Sequence, residues 1–161
     1  MAGGIGKNGA GVRFADLNGN GRADYLWVDD NGAVTAYANH DSPDPAYPAR
    51  VTWFPQGVIA SGVGATREEV VFADIDGDGR ADYLVVSRTD GSVQEWYNQG
   101  GFEGPPNTAK VGWWGRGKIA GGVGTDGKGV LFADLNGDGR AEYLDVDKDS
   151  SAVNAWLNAC F

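Results

Sequence analysis

"FADIDGDGRADYL", residues 72–84, sets four aspartates and two glycines into nine positions between apolar flanks. It has two siblings, "FADLNGNGRADYL" from Phe14 and "FADLNGDGRAEYL" from Phe132, spaced by 58 and 60 residues. The agreement extends well past the acidic loop. Upstream, "MAGGIGKNGAGV", "IASGVGATREEV" and "IAGGVGTDGKGV" align; downstream, "GAVTAYAN", "GSVQEWYN" and "SAVNAWLN" place Tyr37 with Trp96 and Trp156, and Asn39 with Asn98 and Asn158. Between the units, "VTWFPQGV" and "VGWWGRGK" align Trp53 with Trp113 and Phe54 with Trp114. The chain is almost wholly repeat, interrupted by the variable connector "HDSPDPAYPAR" and its counterpart "GGFEGPPNTAK".

A repeat of this length is read as one supersecondary unit that cannot bury both of its faces alone. The segments flanking each loop are short, rich in Val, Tyr, Phe and Leu, and bounded by Gly and Asp turns, which predicts strands rather than helices. In the middle unit "EVVFADI", "DYLVVSR" and "SVQEWYN" are three strands, and "KVGWWGRGKI" or "RVTWFPQGVI" supplies a fourth. The expected class is therefore all-β: a β-propeller of about three four-stranded blades, preferred over a sandwich or a solenoid because of the Gly-rich "GGVG" crossings. Blade 1 is expected over 1–50 with its loop at 16–24. Blade 2 is expected over 51–110, with an exchanged outer strand and its loop at 74–82. Blade 3 is expected over 111–161, lacking its outer strand, with its loop at 134–142. Propellers close with about four to eight blades. Three inner hairpins therefore imply a dimer making six blades, another oligomer, or part of a longer propeller. A homo-oligomer, with the dimer favoured, is the expected partner.

Charged residues make up 22% of the 161-residue chain and hydrophobic ones 42%, and no eighteen-residue apolar run offers a membrane span. A net charge of −9 disfavours a nucleic-acid groove, because phosphates would be repelled. Nine of the acids sit in the three loops, so one divalent cation per loop would cancel most of that charge. The single cysteine, Cys160, permits no internal disulfide and reads as a bystander or an intermolecular thiol. No apolar signal-peptide core follows Met1, so if the protein is secreted the sequence is expected to be a mature or recombinant form.

In the middle loop Asp74, Asp76 and Asp78 alternate, so their side chains can surround one ion. Gly77 and Gly79 permit the turn, the Arg80 carbonyl can supply an oxygen, and Asp82 closes at the ninth position. Hard oxygens in a flexible cage suit Ca²⁺ over Mg²⁺, and the loops contain no His or Cys to favour zinc. An EF-hand is excluded, since its twelfth-position Glu is replaced by Trp27, Val85 and Asp145. With strands on both sides, the loop resembles the DxDxDGxxD hairpin of the α-integrin propellers, and "FADxxGDGRADY" resembles FG-GAP or VCBS-type repeats over nearly the whole chain. That resemblance implies one structural calcium per hairpin. The ligands would be Asp16, Asn18, Asn20, the Arg22 carbonyl and Asp24; Asp74, Asp76, Asp78, Arg80 and Asp82; and Asp134, Asn136, Asp138, the Arg140 carbonyl and Glu142. Two, four and three carboxylates in the successive ligand sets predict that the middle site binds tightest and the first weakest.

FG-GAP and VCBS-type repeats occur in adhesion proteins, in secreted fungal and bacterial proteins and in mushroom propeller lectins. The phrase here looks most like the secreted group, which implies an extracellular protein. Consecutive aromatics cannot share one face of a strand, so one of Trp53 and Phe54, and one of Trp113 and Trp114, is expected to lie exposed. Beside Arg116 these form the candidate ligand-binding set, with a glycan stacked on the aromatic face as the leading ligand and an interface role as the alternative. Tyr37, Trp96 and Trp156 are expected to pack inward. Catalysis is not expected: the sole histidine, His40, lies in a variable connector, and the carboxylates are better explained as ligands. The alternatives are a self-assembling adhesion scaffold and the propeller part of a larger secreted hydrolase.

Overall fold

The computed structural model describes residues 4–40, 46, 51–124 and 126–159; Cys160, with the question of its pairing, lies outside them. The described chain is all-β, with two single-turn 3₁₀ segments at Gly9–Gly11 and Arg67–Glu69. Sheet 1 runs β1 (Val12–Ala15), β2 (Asp24–Val28), β3 (Val34–His40) and β4 (Thr52–Ala60). Sheet 2 runs β5 (Val70–Ala73), β6 (Asp82–Val86), β7 (Val93–Asn98) and β8 (Trp113–Ala120). Sheet 3 has three strands: β9 (Val130–Ala133), β10 (Glu142–Val146) and β11 (Val153–Trp156). All three are antiparallel meanders in chain order, and the described residues form no closed ring.

The sheets are offset from a division at residues 50 and 110. β4 pairs with β3 from Val34↔Ala60 to His40↔Thr52, and β8 pairs with β7 in the same way, so each fourth strand completes the unit before it. The antiparallel return explains this, because β4 follows β3 through one connector and pairs with its immediate chain neighbour. From β4 the chain crosses to the next unit through Gly62. Its φ is +87°, and a Cβ there would stand 2.5 Å from the Asn31 carbonyl. Gly122 makes the same close crossing over Asp90.

Alternation sets the two faces of each sheet. Val34, Ala36 and Ala38 are buried on one face of β3, while Thr35 and Tyr37 are half-buried on the other. One face of sheet 1, with Leu17, Leu26, Val28 and Val34, meets Ala65, Val70, Ala81 and Tyr83 of sheet 2. The same face of sheet 2, with Ile75, Leu84, Val86 and Val93, meets Val130, Ala141, Phe132 and Tyr143 of sheet 3. Each fully buried Leu or Val contributes about 1.5–3 kcal/mol. Sheet 3 has no sheet beyond it among the described residues. Leu135 and Val153, the counterparts of Leu17 and Val34, are accordingly 57% and 56% exposed.

A row of edge-on aromatic contacts crosses each sheet, joining Phe14, Tyr25 and Tyr37; Phe72, Tyr83 and Trp96; and Phe132, Tyr143 and Trp156, with centroids 5.6–5.8 Å apart. These are direct cross-strand neighbours, the geometry in which aromatic pairs stabilise a sheet. Tyr83 Oη donates to the Gly32 carbonyl and Tyr143 Oη to the Gly91 carbonyl, each at 2.9 Å, so the row also ties its sheet to the one before.

Candidate metal centres and the surfaces around them

Each loop joins the first two strands of its sheet and is organised by its own first residue. In the middle loop Asp74 accepts the Gly77 amide at 2.7 Å and the Gly79 amide at 2.8 Å. Asp134 does the same for Gly137 and Gly139 at 2.7 and 3.0 Å, and Asp16 for Gly19 and Gly21 at 2.8 and 2.6 Å. The third residue then accepts the amide of the fifth, and the fifth that of the arginine. In the middle loop these are Asp76 from Asp78 at 3.2 Å and Asp78 from Arg80 at 2.8 Å. The backbone turn is thus held by the side chains proposed as ligands.

One carboxylate oxygen from each of Asp74, Asp76 and Asp78 lies within 4.8 Å of the others, which brings together three of the expected ligands. In the other two loops the corresponding positions hold Asn18 and Asn20, or Asn136, so fewer charges converge. The Arg80 guanidinium pairs with Asp78 Oδ2, and the Tyr97 hydroxyl donates to the same oxygen at 3.2 Å. Burial, opposed by the two glycine amides, raises the Asp74 carboxyl above the ordinary range. Three carboxylates this close are relieved by a cation among them, and the donors are all hard oxygens. The set fits a divalent ion such as Ca²⁺.

The ninth residues are placed differently from the cluster. Asp82 is fully buried beneath the loop, where it accepts the Ile75 amide at 3.0 Å and the Asn98 amide at 2.8 Å. Asp24 accepts those of Leu17 and Asn39 at 3.0 and 2.8 Å, and Glu142 that of Leu135 at 2.6 Å. Burial pushes Asp82 up to about 7, with the negative charges of Glu95 and Asp76 adding to it, and Asp24 up to about 6. Asp24 and Asp82 thereby brace their loops against the third strand, while Glu142 is held within its own loop. The arginines act through their side chains as well: Arg140 Nε donates to the Asp76 carbonyl at 3.1 Å, laying one unit against the loop before it.

Consecutive loops are also linked directly. The Ala81 amide donates to the Asp16 carbonyl at 2.7 Å and the Ala141 amide to the Asp74 carbonyl at 2.8 Å. Asn98 Nδ2 bridges the Leu17 and Ala81 carbonyls at 3.0 Å, and Asn158 Nδ2 reaches Ile75 at 2.6 Å. This stitching role was not assigned from the sequence, although the recurrence of Asn39, Asn98 and Asn158 is its signal.

Of the candidate ligand-binding residues, Trp53 and Trp113 turn inward. Their rings lie 5.9 and 6.0 Å from Tyr25 and Tyr83. Phe54 and Trp114 turn outward, 40% and 62% exposed. Arg116 is half-exposed and lies 3.6 Å from Glu95, a buried carboxylate that sequence reasoning did not single out. Trp96 packs against the core between sheets 1 and 2 as expected, whereas Tyr37 is half-buried on the outer face of sheet 1 against Tyr25, and Trp156 is 46% exposed beside the open edge of β11.

The family model of the FG-GAP-like repeat matches residues 16–85 and, again, residues 74–144. The two matches overlap in the middle loop. No curated protein and no solved structure matches the chain.

Proposed function

The chain belongs to the FG-GAP-like repeat family, and from that premise we propose that it is a calcium-stabilised, non-catalytic binding module of propeller type that acts outside the cell. The observation that carries the reading is the convergence of Asp74, Asp76 and Asp78 in a loop whose turn is already formed. When bound, calcium supplies positive charge and no chemistry. The chain's residues do the rest: the first residue of each loop fixes the turn, the third and fifth offer oxygens, and the ninth anchors the loop to the sheet. Binding to the folded state alone raises stability by linkage. Calorimetric titration with Ca²⁺, together with melting temperatures in calcium and in EDTA, tests this. A chain that binds no calcium and melts at one temperature in both is not this module.

The ligand we favour is a neutral glycan. The exposed Phe54 and Trp114 recur at matched positions of two outer strands, and indole and phenyl faces stack on sugar C–H surfaces. Repetition raises weak single-site affinities through avidity. A glycan array that stays blank removes this part and leaves the calcium reading intact.

A second reading, self-assembly, draws on the two outer faces. Sheet 3 exposes Leu131, Leu135 and Val153, while sheet 1 exposes Phe14 at its opposite face. Trp53 Nε1 is buried there without an acceptor among the described residues, whereas Trp113 Nε1 donates to Ile59 of the sheet before it. The occupant that fits sheet 3 is sheet 1 of a second copy. Ser151, with φ 59°, stands where Gly32 and Gly91 stand, and a Cβ at Gly91 would lie 2.6 Å from Tyr143 Oη. An incoming Tyr25 must therefore seat differently from Tyr83 and Tyr143. Analytical ultracentrifugation of the chain and of Leu135→Asp tests the reading: an oligomer that the variant dissociates supports it, and a monomeric parent chain removes it.

A further inference from the structure

The connector of the second unit, residues 99–112, is folded onto sheet 1. Its Phe102, 1% exposed, Ala109 and Val111 enter the apolar cluster between sheets 1 and 2. Backbone bonds close the segment on itself: the Gln99 amide donates to the Gly112 carbonyl at 2.8 Å, the Gly112 amide to Gly100 at 2.9 Å and the Lys110 amide to Gly101 at 3.2 Å. The Asn107 amide donates to the Pro55 carbonyl of β4 at 2.8 Å, which fixes the connector to the outer strand of sheet 1. With Phe102 seated in the core, the next residue, Glu103, is carried to the first acidic loop.

Glu103 Oε1 accepts from Asn18 Nδ2 at 2.5 Å, and His40 Nε2 lies 3.5 Å from the same oxygen. An ionised carboxylate only accepts, so it fixes the Asn18 amide with its nitrogen outward and Oδ1 on the loop side, where Oδ1 takes the Asn20 amide at 3.1 Å. The equivalent asparagine of the third loop is held otherwise. Asn136 Nδ2 donates to Asp138 Oδ2 at 3.1 Å and lies 3.5 Å from Glu142 Oε1, so its amide hydrogens turn onto the carboxylates of its own loop. In the first loop the amide hydrogens are instead drawn out of the ligand set by a residue of the next unit. That loop is also the one with the fewest acids of its own, Asp16 and Asp24, because Asn18 and Asn20 stand at its third and fifth positions.

We propose that Glu103 belongs to the first calcium site as its positioning residue, keeping the Asn18 amide oxygen turned inward and adding, from outside the loop, a third carboxylate to Asp16 and Asp24. The proposal rests on the calcium reading above. It makes the first site a product of two units, the loop coming from one and Glu103 from the connector of the next.

The test is a calorimetric calcium titration, at low and at higher salt, of the chain whose middle and third loops are disabled by Asp74→Ala and Asp134→Ala. It is repeated in that background with Glu103→Gln, Glu103→Ala, Asn18→Asp and the pair Asn18→Asp with Glu103→Ala. Glu103→Gln keeps an acceptor and loses the charge. It should weaken calcium binding by roughly 3- to 10-fold, and the difference should shrink as salt screens it. Glu103→Ala also releases the Asn18 amide and should weaken binding by roughly 10- to 30-fold. In Asn18→Asp either side-chain oxygen can face the loop, so Glu103→Ala should cost no more there than Glu103→Gln does beside Asn18. Glu103 is exposed, so its variants should melt in EDTA within about 2 °C of their background. Unchanged calcium affinity in Glu103→Ala overturns the proposal and leaves the calcium reading standing. A loss undiminished by Asn18→Asp also overturns it, since Glu103 would then act without Asn18. A fall in melting temperature in EDTA that parallels the lost affinity makes Glu103 a strut of the fold and overturns it as well. No calcium bound by the first loop overturns the proposal, and none bound by the chain with all three loops intact overturns the calcium reading with it.

Discussion

The first and second acidic loops share a scaffold and differ in what it presents. Asp16 and Asp74 cap two glycine amides each, and Asp24 and Asp82 each brace two further amides from beneath. The third and fifth positions, Asn18 and Asn20 in one loop and Asp76 and Asp78 in the other, also accept backbone amides, which amide and carboxylate oxygens do alike. The turn therefore depends on the first and ninth residues, while the charge offered to a cation is set at the third and fifth. Turn formation and affinity are separable within one loop, and mutations can be chosen to break one without the other.

The largest effect is expected at the braces. Asp82→Ala strands the Ile75 and Asn98 amides in the interior, each costing about 1–3 kcal/mol, so it should destabilise by roughly 2–6 kcal/mol. Asp24→Ala should cost about as much, because it strands Leu17 and Asn39. Urea unfolding in EDTA measures both. Near-equal losses support a common scaffold, and a loss confined to the middle loop breaks it. Next comes affinity. With the other two loops disabled by Asp→Ala at their first positions, the middle loop should bind Ca²⁺ roughly 10- to 100-fold tighter than the first, since charge count helps set affinity. Equal affinities would mean that Asp76 and Asp78 do not act as ligands.

Much of this was legible in the sequence. The repeat, the strands flanking each loop and the inward–outward split of Trp53/Phe54 and Trp113/Trp114 follow from period-two alternation and Gly/Asp punctuation, which are local signals. The sheet to which β4 belongs is set by pairing across a connector, and residue pattern alone left two candidates for a fourth strand. The bracing role of Asp82 was hidden for a different reason: a carboxylate at the ninth position can hold an ion or two backbone amides, and only the placement of Ile75 and Asn98 distinguishes them. Glu95 and Arg116 meet at 3.6 Å from different strands, and each departs from its repeat, standing where the sibling units have Ala36 and Ala155, or Gln56.

Titration gives a smaller and more diagnostic signal. Asp24 and Asp82 are raised by burial to about 6 and about 7, above the ~3.9 of an unfolded aspartate. Between those values the folded chain holds more protons than the unfolded one. The stability these groups allow is thus fully present below about pH 4 and lost as pH rises through 6 and then 7. In EDTA the chain should melt higher at pH 5 than at pH 7.5, and Asp82→Asn should remove the part lost between 6 and 7. In saturating calcium the trend should flatten or reverse, because the ion binds ionised loops. A melting temperature in EDTA that climbs from pH 5 to 7.5 contradicts a placement in which burial of these two carboxyls outweighs the amides they accept.

The smallest expected effect separates the middle loop from both of its siblings. Tyr97 donates its hydroxyl to Asp78 Oδ2, and the counterparts of Tyr97 are Ala38 and Leu157, which cannot donate. Tyr97→Phe removes one partly exposed hydrogen bond and should cost about 0.5–1.5 kcal/mol in EDTA. In calcium the same change has an opposing consequence. The hydroxyl and the Arg80 guanidinium both occupy the oxygen that an ion would draw on, so losing one competitor frees Asp78 for the metal. Tyr97→Phe should therefore destabilise the calcium-free chain slightly while leaving calcium affinity unchanged or modestly raised. A variant that loses stability and affinity together would instead make Tyr97 a support that holds Asp78 in its binding position, and the tighter binding expected of the middle loop would then owe as much to rigidity as to charge.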